Sequence, residues 1–123
     1  MTKTPKTKRS LIHCRIYSLT WMVQKGGSAQ SAIDWYARKM QIDTWELRDT
    51  EDRAGHFAYH SNQRDSVIWY RDGVGAGTIA HEVHHAITRL ADILEAPIDT
   101  TTDEVFAYYS GWLTGEIVNR LWA

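Results

Sequence analysis

The chain has 123 residues, a length that fits a single domain with one hydrophobic core. Hydrophobic residues make up 43% of it and charged residues 24%, which excludes a chain that is disordered throughout. The net charge of −1 is uneven, because residues 1–15 carry five basic side chains and no acidic one, whereas the rest carries a net charge of −6.

The single cysteine, Cys14, excludes an internal disulfide framework, a four-thiolate zinc site and an iron–sulfur cluster. No apolar run reaches the roughly 18 residues that a membrane helix needs. The basic N-terminus also lacks the apolar core of a signal peptide. We therefore expect a cytoplasmic protein without a membrane partner.

Residues 1–10 are predicted to form a flexible basic arm and residues 11–123 a single domain. The arm is either a solvated, frayed terminus or a contact for nucleic acid or an acidic partner. The acidic body argues against a dedicated nucleic-acid-binding domain. The apolar and β-branched residues of 11–23 alternate in a way that predicts one strand, ended by Gly26 and Gly27.

Further elements are predicted in chain order from hydrophobic spacing and from capping and turn residues. They are a helix capped by Ser28 or Ser31 and ending near Gln41, a loop or exposed edge over 46–54, a hairpin of strands over 55–60 and 66–71, a helix from Thr78 to Glu95, and a helix from Thr101 or Thr102 to Trp122. Together they predict an α+β fold in which a short, mainly antiparallel sheet packs on about three helices.

Residues 81–85 read His-Glu-Val-His-His and match the pattern H-E-x-x-H. On a helix, His81 and His85 share one face and can both bind one metal ion. Glu82 flanks that position, where it can take a proton from a water molecule that the metal activates. Zinc suits two imidazoles and a carboxylate with one position left for water.

The predicted surroundings of the histidine pair leave two interpretations open. The apolar residues of the helix fall opposite His81 and His85, so that the pair lines a cleft over the core. Alternatively, the pair belongs to an ordinary solvated face, since Arg89 and Asp92 share it. His84 is either a replacement ligand or a residue that packs or meets solvent.

Glu104 is the predicted third metal ligand, because it begins the next helix after a short connection. Asp103 is the alternative. A competing role for Glu104 is a capping box with Thr101. The small residues Ala107, Gly111 and Gly115 form a stripe beside Glu104, which predicts that the histidine helix approaches closely there.

Two roles are open for Tyr108, which follows Glu104 by one turn. It either stabilises a developing oxyanion or is a tyrosine of the core. Structural roles are favoured for His56, Tyr59 and His60 on the first strand of the predicted hairpin.

The motif of His81, Glu82 and His85 followed by Glu104 resembles the zincin metallopeptidases, specifically the gluzincin arrangement of thermolysin-type enzymes. The run from Asp103 to Tyr108 is also similar to small zincin-like proteins of phages and prophages. The resemblance covers about residues 66–115 and implies a minimal zincin-like domain, located in the host cytoplasm or the virion. It also implies an edge strand, here Val67 to Tyr70, that pairs with extended peptide substrate.

The sequence thus predicts a zinc metallopeptidase that cleaves protein or peptide substrates. Its metal ligands would be His81, His85 and Glu104, with Glu82 as general base and Tyr108 as a further catalytic residue. The alternative is a non-catalytic zincin-fold structural or interaction protein, such as a phage virion or adaptor component, in which any bound zinc is structural. A second alternative is a nucleic-acid-associated protein that uses the basic arm.

Overall fold

The computed structural model of the chain describes residues 7–51 and 54–122, with only the backbone of residues 50 and 51. The elements in chain order are β1 (Lys8–Cys14), β2 (Leu19–Lys25), α1 (Ala29–Met40), a short 3₁₀ turn (Thr44–Glu46), β3 (Arg48–Glu51), β4 (Gly55–Tyr59), β5 (Ser66–Tyr70), α2 (Ala76–Ile93) and α3 (Asp103–Leu121). The α+β class and the three helices are as predicted.

The five strands form one mixed sheet in the order β1-β2-β5-β4-β3. Strands β2 and β5 are parallel, whereas β1–β2, β3–β4 and β4–β5 are antiparallel. The sheet is therefore mainly antiparallel, and the predicted hairpin is the β4–β5 pair. Parallel strands cannot be joined by a tight turn. The connection from β2 to β5 therefore passes through α1, the 3₁₀ turn, β3 and β4.

Helices cover both faces of the sheet, and each face has its own hydrophobic core. Helix α1 contributes Tyr36 to the smaller core, beside Met22, Val67 and Trp69. The Tyr36 hydroxyl donates to the Asp65 carbonyl at 2.6 Å, which ties α1 to the β4–β5 turn. Burial raises the pKa of Tyr36 to about 12, so that the hydroxyl keeps its proton at neutral pH.

Helices α2 and α3 lie on the opposite face and enclose the larger core. α3 inserts four fully or almost fully buried side chains, Phe106, Leu113, Ile117 and Leu121. Trp21 of β2 is completely buried beneath them, and its Nε1 donates to the Tyr109 hydroxyl at 2.8 Å. Burial of one such large apolar side chain contributes about 1.5–3 kcal/mol, so α3 is held mainly by this contact face.

The predicted strand over 11–23 is wrong, since the segment forms a hairpin of β1 and β2. The turn over 15–18 contains no Gly, Pro, Asn or Asp, and Ser18 takes the left-handed conformation with φ 52°. β1 also begins at Lys8, so the last three residues of the predicted arm belong to the sheet. Residues 1–6 of the arm lie outside the described part of the chain.

The assignment of Val67 to Tyr70 as an edge strand is also wrong. These residues belong to β5, the central strand of the sheet, and every residue of β5 is buried. A strand covered on both faces reads as a continuous hydrophobic run, which is the pattern of Val67, Ile68, Trp69 and Tyr70. The edges of the sheet are β1 and β3.

The predicted helices lie close to the observed ones. Ser28 caps α1 by accepting a hydrogen bond from the backbone of Ser31 at 3.0 Å. α2 begins at Ala76 instead of Thr78, with Gly75 as its N-cap. None of the helices in the described part of the chain combines the length and apolar character needed to span a membrane.

Candidate metal centre

Helix α2 presents the histidine pair on the side opposite its buried face. Ile79, Val83, Ala86, Ile87 and Leu90 are buried in the larger core. His81 and His85 therefore lie on the flank of α2 that is not occupied by the core, as the helical wheel predicts. Arg89, which the sequence placed on a solvated face, is instead buried.

The imidazoles of His81 and His85 are in direct contact. Their Nε2 atoms are 3.3 Å apart, and their rings meet edge to face at a centroid distance of 4.9 Å. The ring of His85 also stacks on Phe57 of β4 at a centroid distance of 6.4 Å. Burial and the neighbouring His81 and His84 lower the pKa of His85, which favours the neutral imidazole that a metal ion requires.

The distance between the two nitrogens matches a zinc site. Two nitrogens bound at about 2.0–2.1 Å to a tetrahedral zinc ion lie about 3.3–3.4 Å apart. In the metal-free protein, the same separation allows one Nε2–H to donate to the other nitrogen. The separation of the donor pair therefore agrees with two corners of a tetrahedral zinc site.

Glu82 lies beside this pair and is completely buried, with 0% of its surface exposed. Its Oε1 atom is 3.9 Å from Nε2 of His81. Burial, and then the negative charge of Glu82, raise the pKa of Tyr70, whose hydroxyl donates to the Ile79 carbonyl at 3.1 Å. Glu82 therefore occupies the layer between α2 and the sheet.

Gly55, the first residue of β4, makes room for Glu82. A Cβ atom at position 55 would be 2.8 Å from Cγ and 2.9 Å from Oε1 of Glu82. Such separations are shorter than real contacts, so only glycine fits beside the carboxylate without displacement. The role of Gly55 could not be predicted from the sequence, because nothing in the local pattern indicates which side chain a strand glycine faces.

Glu104 and Asp103, the two candidates for a third ligand, do not join the histidine pair. Both are exposed in the first turn of α3. Glu104 is about 160° around the helix from the buried Phe106. Over residues 7–51 and 54–122, no group of three or more His, Cys, Asp or Glu side chains is arranged to hold a metal ion. The structure thus brings together His81, His85 and Glu82 alone among the predicted residues.

The small-residue stripe of α3 does not serve the close approach that was predicted for it. A Cβ atom added at Gly111 or Gly115 would meet nothing within 4 Å. The predicted capping box is also absent. Helix α3 begins at Asp103. The side chain of Asp99, instead of that of a threonine, accepts hydrogen bonds from the backbone N–H groups of Thr101 and Thr102. The rotation of α3 is fixed by its large apolar side chains.

The open space around these glycines gives a stability prediction. Gly111→Ala and Gly115→Ala should each raise the free energy of unfolding by up to about 1 kcal/mol, because alanine has the higher helix propensity. Urea denaturation of the two variants measures the change. Destabilisation by either alanine would show that the stripe contacts another element after all.

Tyr108 and His84 lie apart from the histidine site or point away from it. Tyr108 is 75% exposed and borders an apolar depression with Ile16 and Trp112 near the β1–β2 turn. His84 is exposed on α2. Neither position supports the catalytic or ligand role considered for it.

Three other residues have structural partners, as the sequence favoured. His56 pairs with Asp49 at 3.1 Å, and His60 pairs with Glu46 at 3.0 Å. The ring of Tyr59 lies under the Arg89 guanidinium at 4.1 Å. That arginine also donates to the Gln63 carbonyl at 3.0 Å, and it thereby ties α2 to the β4–β5 turn.

An open cleft of about 560 Å³ begins at His85 and follows the C-terminal half of α2. Its lining residues are Phe57, Tyr59, His85, Thr88, Arg89, Ala91, Asp92, Glu95, Ala96, Pro97 and Ile98. The volume is within the range of small-molecule and peptide side-chain sites, and most of the lining is apolar or aromatic.

Comparisons with protein-family models, with curated proteins and with solved structures find no match to this chain.

Proposed function

We propose that the protein is a zinc-dependent metallopeptidase whose site is built on His81, Glu82 and His85. The observation that carries the proposal is the 3.3 Å separation of the two imidazole Nε2 atoms. It agrees with the geometry of two zinc ligands, and Glu82 follows the first of them in the sequence. The proposal rests on these residues and on the resemblance of the motif to zincins.

His81 and His85 would hold the zinc ion through their Nε2 atoms. When bound, zinc supplies Lewis-acid polarisation of a carbonyl and lowers the pKa of a water molecule. Among the described residues, no carboxylate completes a set of three zinc ligands. The remaining coordination positions of the zinc ion would be taken by water and substrate, or by Glu104 after a movement of α3 that brings it nearer.

Glu82 is the general base in this proposal. Its carboxylate would take a proton from a water molecule beside the histidines as the water oxygen attacks the carbonyl carbon of the peptide, and would give that proton to the amine nitrogen as the C–N bond breaks. Complete burial and the glycine at position 55 hold the carboxylate in one place, 3.9 Å from Nε2 of His81.

The substrate class follows from the cleft that begins at His85. Its apolar and aromatic walls suit a side chain of a protein or peptide substrate. The cleft is open to solvent, and a bound peptide chain requires such an opening.

Zinc content tests the metal centre directly. Elemental mass spectrometry of the purified wild-type protein, resupplied with zinc, should give about one zinc per chain. His81→Ala and His85→Ala should each lose the metal. His84→Ala is the matched control, because it removes a neighbouring exposed histidine of the same helix and should keep the zinc.

Glu104→Ala distinguishes the described position of α3 from a moved one in which Glu104 is a third zinc ligand. Zinc retention in this variant supports the two-histidine site that the structure describes, and zinc loss shows that α3 moves to supply a third ligand. Absence of stoichiometric zinc in the wild-type protein after resupply would overturn the proposal.

The exposed position of Glu104 favours one second candidate, a non-catalytic zincin-like structural or interaction protein. Catalytic zinc sites commonly have three protein ligands and an open position, whereas the described residues offer two. In that case, zinc would bind weakly or serve only to join α2 to a partner. Peptide hydrolysis by the zinc-loaded wild-type protein would exclude this candidate.

A further inference from the structure

A further exposed apolar surface shares no residue with the cleft of the histidine pair. We call it the turn–α3 patch, and it consists of Ile16 and Tyr17 of the β1–β2 turn with Val105, Tyr108 and Trp112 of α3. Ile16 is 85% exposed, Tyr108 75% and Val105 54%. A depression of about 490 Å³ lies between the turn and the helix. Isolated apolar residues are common on protein surfaces, but a contiguous patch with a depression marks a contact site.

Two aromatic residues of the patch, Tyr17 and Trp112, pack against Tyr109. Tyr109 packs against Tyr17 at a centroid distance of 5.8 Å and against Trp112 at 5.2 Å. Its hydroxyl accepts the hydrogen bond from the buried Trp21. A preordered aromatic surface loses little conformational entropy when it is covered, which favours association.

The charges that border the patch are of opposite sign on its two sides. Arg15 is exposed on the β1–β2 turn, and Glu104 is exposed on α3. On a helical wheel, Glu104 is about 140° from Tyr109, the residue that contacts the turn, so it borders the far side of the patch. Within the described residues, neither Arg15 nor Glu104 forms an ion pair.

This arrangement is self-complementary under a two-fold axis. If the axis passes through the patch, the apolar residues of two copies cover one another. Arg15 of each copy then faces Glu104 of the other, as the isologous contact of a symmetric dimer requires.

Pairing of the edge strand is a less suitable alternative to this contact. Arg120 of α3 donates to the Leu11 carbonyl of β1 at 3.0 Å and to the Ser10 hydroxyl at 3.1 Å. A side chain of α3 therefore already covers the middle of the β1 edge, which is a common protection against strand addition.

We propose that the turn–α3 patch is the interface of a symmetric homodimer of this chain. The histidine pair and its cleft share no residue with this patch. The proposal is independent of zinc and of peptidase activity.

Sedimentation velocity of the full chain over a wide concentration range, up to about millimolar, tests the proposal. The wild-type protein should associate reversibly to a dimer. Ile16→Asp and Tyr108→Asp should each raise the dimer dissociation constant at least about 30-fold, as expected for central residues of an interface. Trp45→Asp is the matched control, since Trp45 is 80% exposed and lies on the 3₁₀ turn, and it should leave the constant unchanged.

Charge reversal tests the two-fold arrangement itself. Arg15→Glu and Glu104→Arg should each weaken the dimer, about tenfold or more, because each places like charges together. The variant that carries both changes should regain most of the lost affinity.

Thermal melting of every variant checks that the fold persists, as the exposure of these side chains leads us to expect. A wild-type protein that is monomeric at all concentrations would overturn the proposal. A dimer whose dissociation constant is the same in the two aspartate variants would also overturn it, and so would a double charge reversal that fails to restore affinity.

Discussion

Glu82→Gln should leave the zinc content of the protein unchanged and lower its rate of peptide hydrolysis by about 10²–10⁴-fold. Glutamine has nearly the same shape as glutamate, so it fits the closed space beside Gly55. It cannot accept the proton of the attacking water, and the reaction then loses its general base. Single-turnover hydrolysis of a fluorogenic peptide library, with zinc measured in the same samples, gives both quantities.

Glu116→Gln is the control for loss of a carboxylate as such. Glu116 lies on α3, outside the candidate site, and forms a surface ion pair with Arg120 at 3.1 Å. Such pairs contribute little, so the rate should stay within about twofold of wild type. Equal hydrolysis by the Glu82→Gln and wild-type proteins would assign the buried carboxylate a structural role and remove it from the mechanism.

The histidine pair could be located from the sequence because its geometry is local. A separation of four residues on a helix places His81 and His85 on one face, whatever the rest of the chain does. The apolar spacing of α2 likewise identified the buried face opposite them. The zincin resemblance and the assignment of a peptidase remain predictions, since no comparison with known proteins tests them.

The third ligand could not be located in this way, because its position depends on how α3 is rotated. Two stripes on α3 compete for the core, one of small residues and one of large apolar residues. The large stripe, Phe106, Leu113, Ile117 and Leu121, buries far more apolar surface and decides the rotation. The small stripe with its two glycines is turned outward, and Glu104 with it.

The errors in the sheet have a similar origin. The turn over 15–18 contains no Gly, Pro, Asn or Asp, so the alternation of two strands was read as one. β5 was taken as an edge because the family resemblance implies an edge strand before the histidine helix. Its uninterrupted apolar sequence already indicated a strand buried on both faces.

Gly55→Ala should destabilise the protein by about 1–3 kcal/mol and should also reduce hydrolysis, because both effects arise from the same contact. The added methyl group would lie 2.8 Å from Cγ, 2.9 Å from Oε1 and 3.0 Å from Cδ of Glu82. The side chain of Glu82 is completely buried, with 0% of its surface exposed. Either the carboxylate moves from its place beside His81 or β4 moves away from α2.

A double-mutant cycle shows whether Glu82 carries the clash. Glu82→Ala removes the three atoms in contact, so Gly55→Ala should be better tolerated in that background, with a coupling of about 1 kcal/mol or more in urea denaturation. Gly111→Ala is the control for a glycine whose surroundings are open. A Gly55→Ala protein as stable and as active as wild type would show that the carboxylate does not depend on this close approach to β4. Glu82 would then be free to adopt other positions, and its role as a fixed general base would lose its structural support.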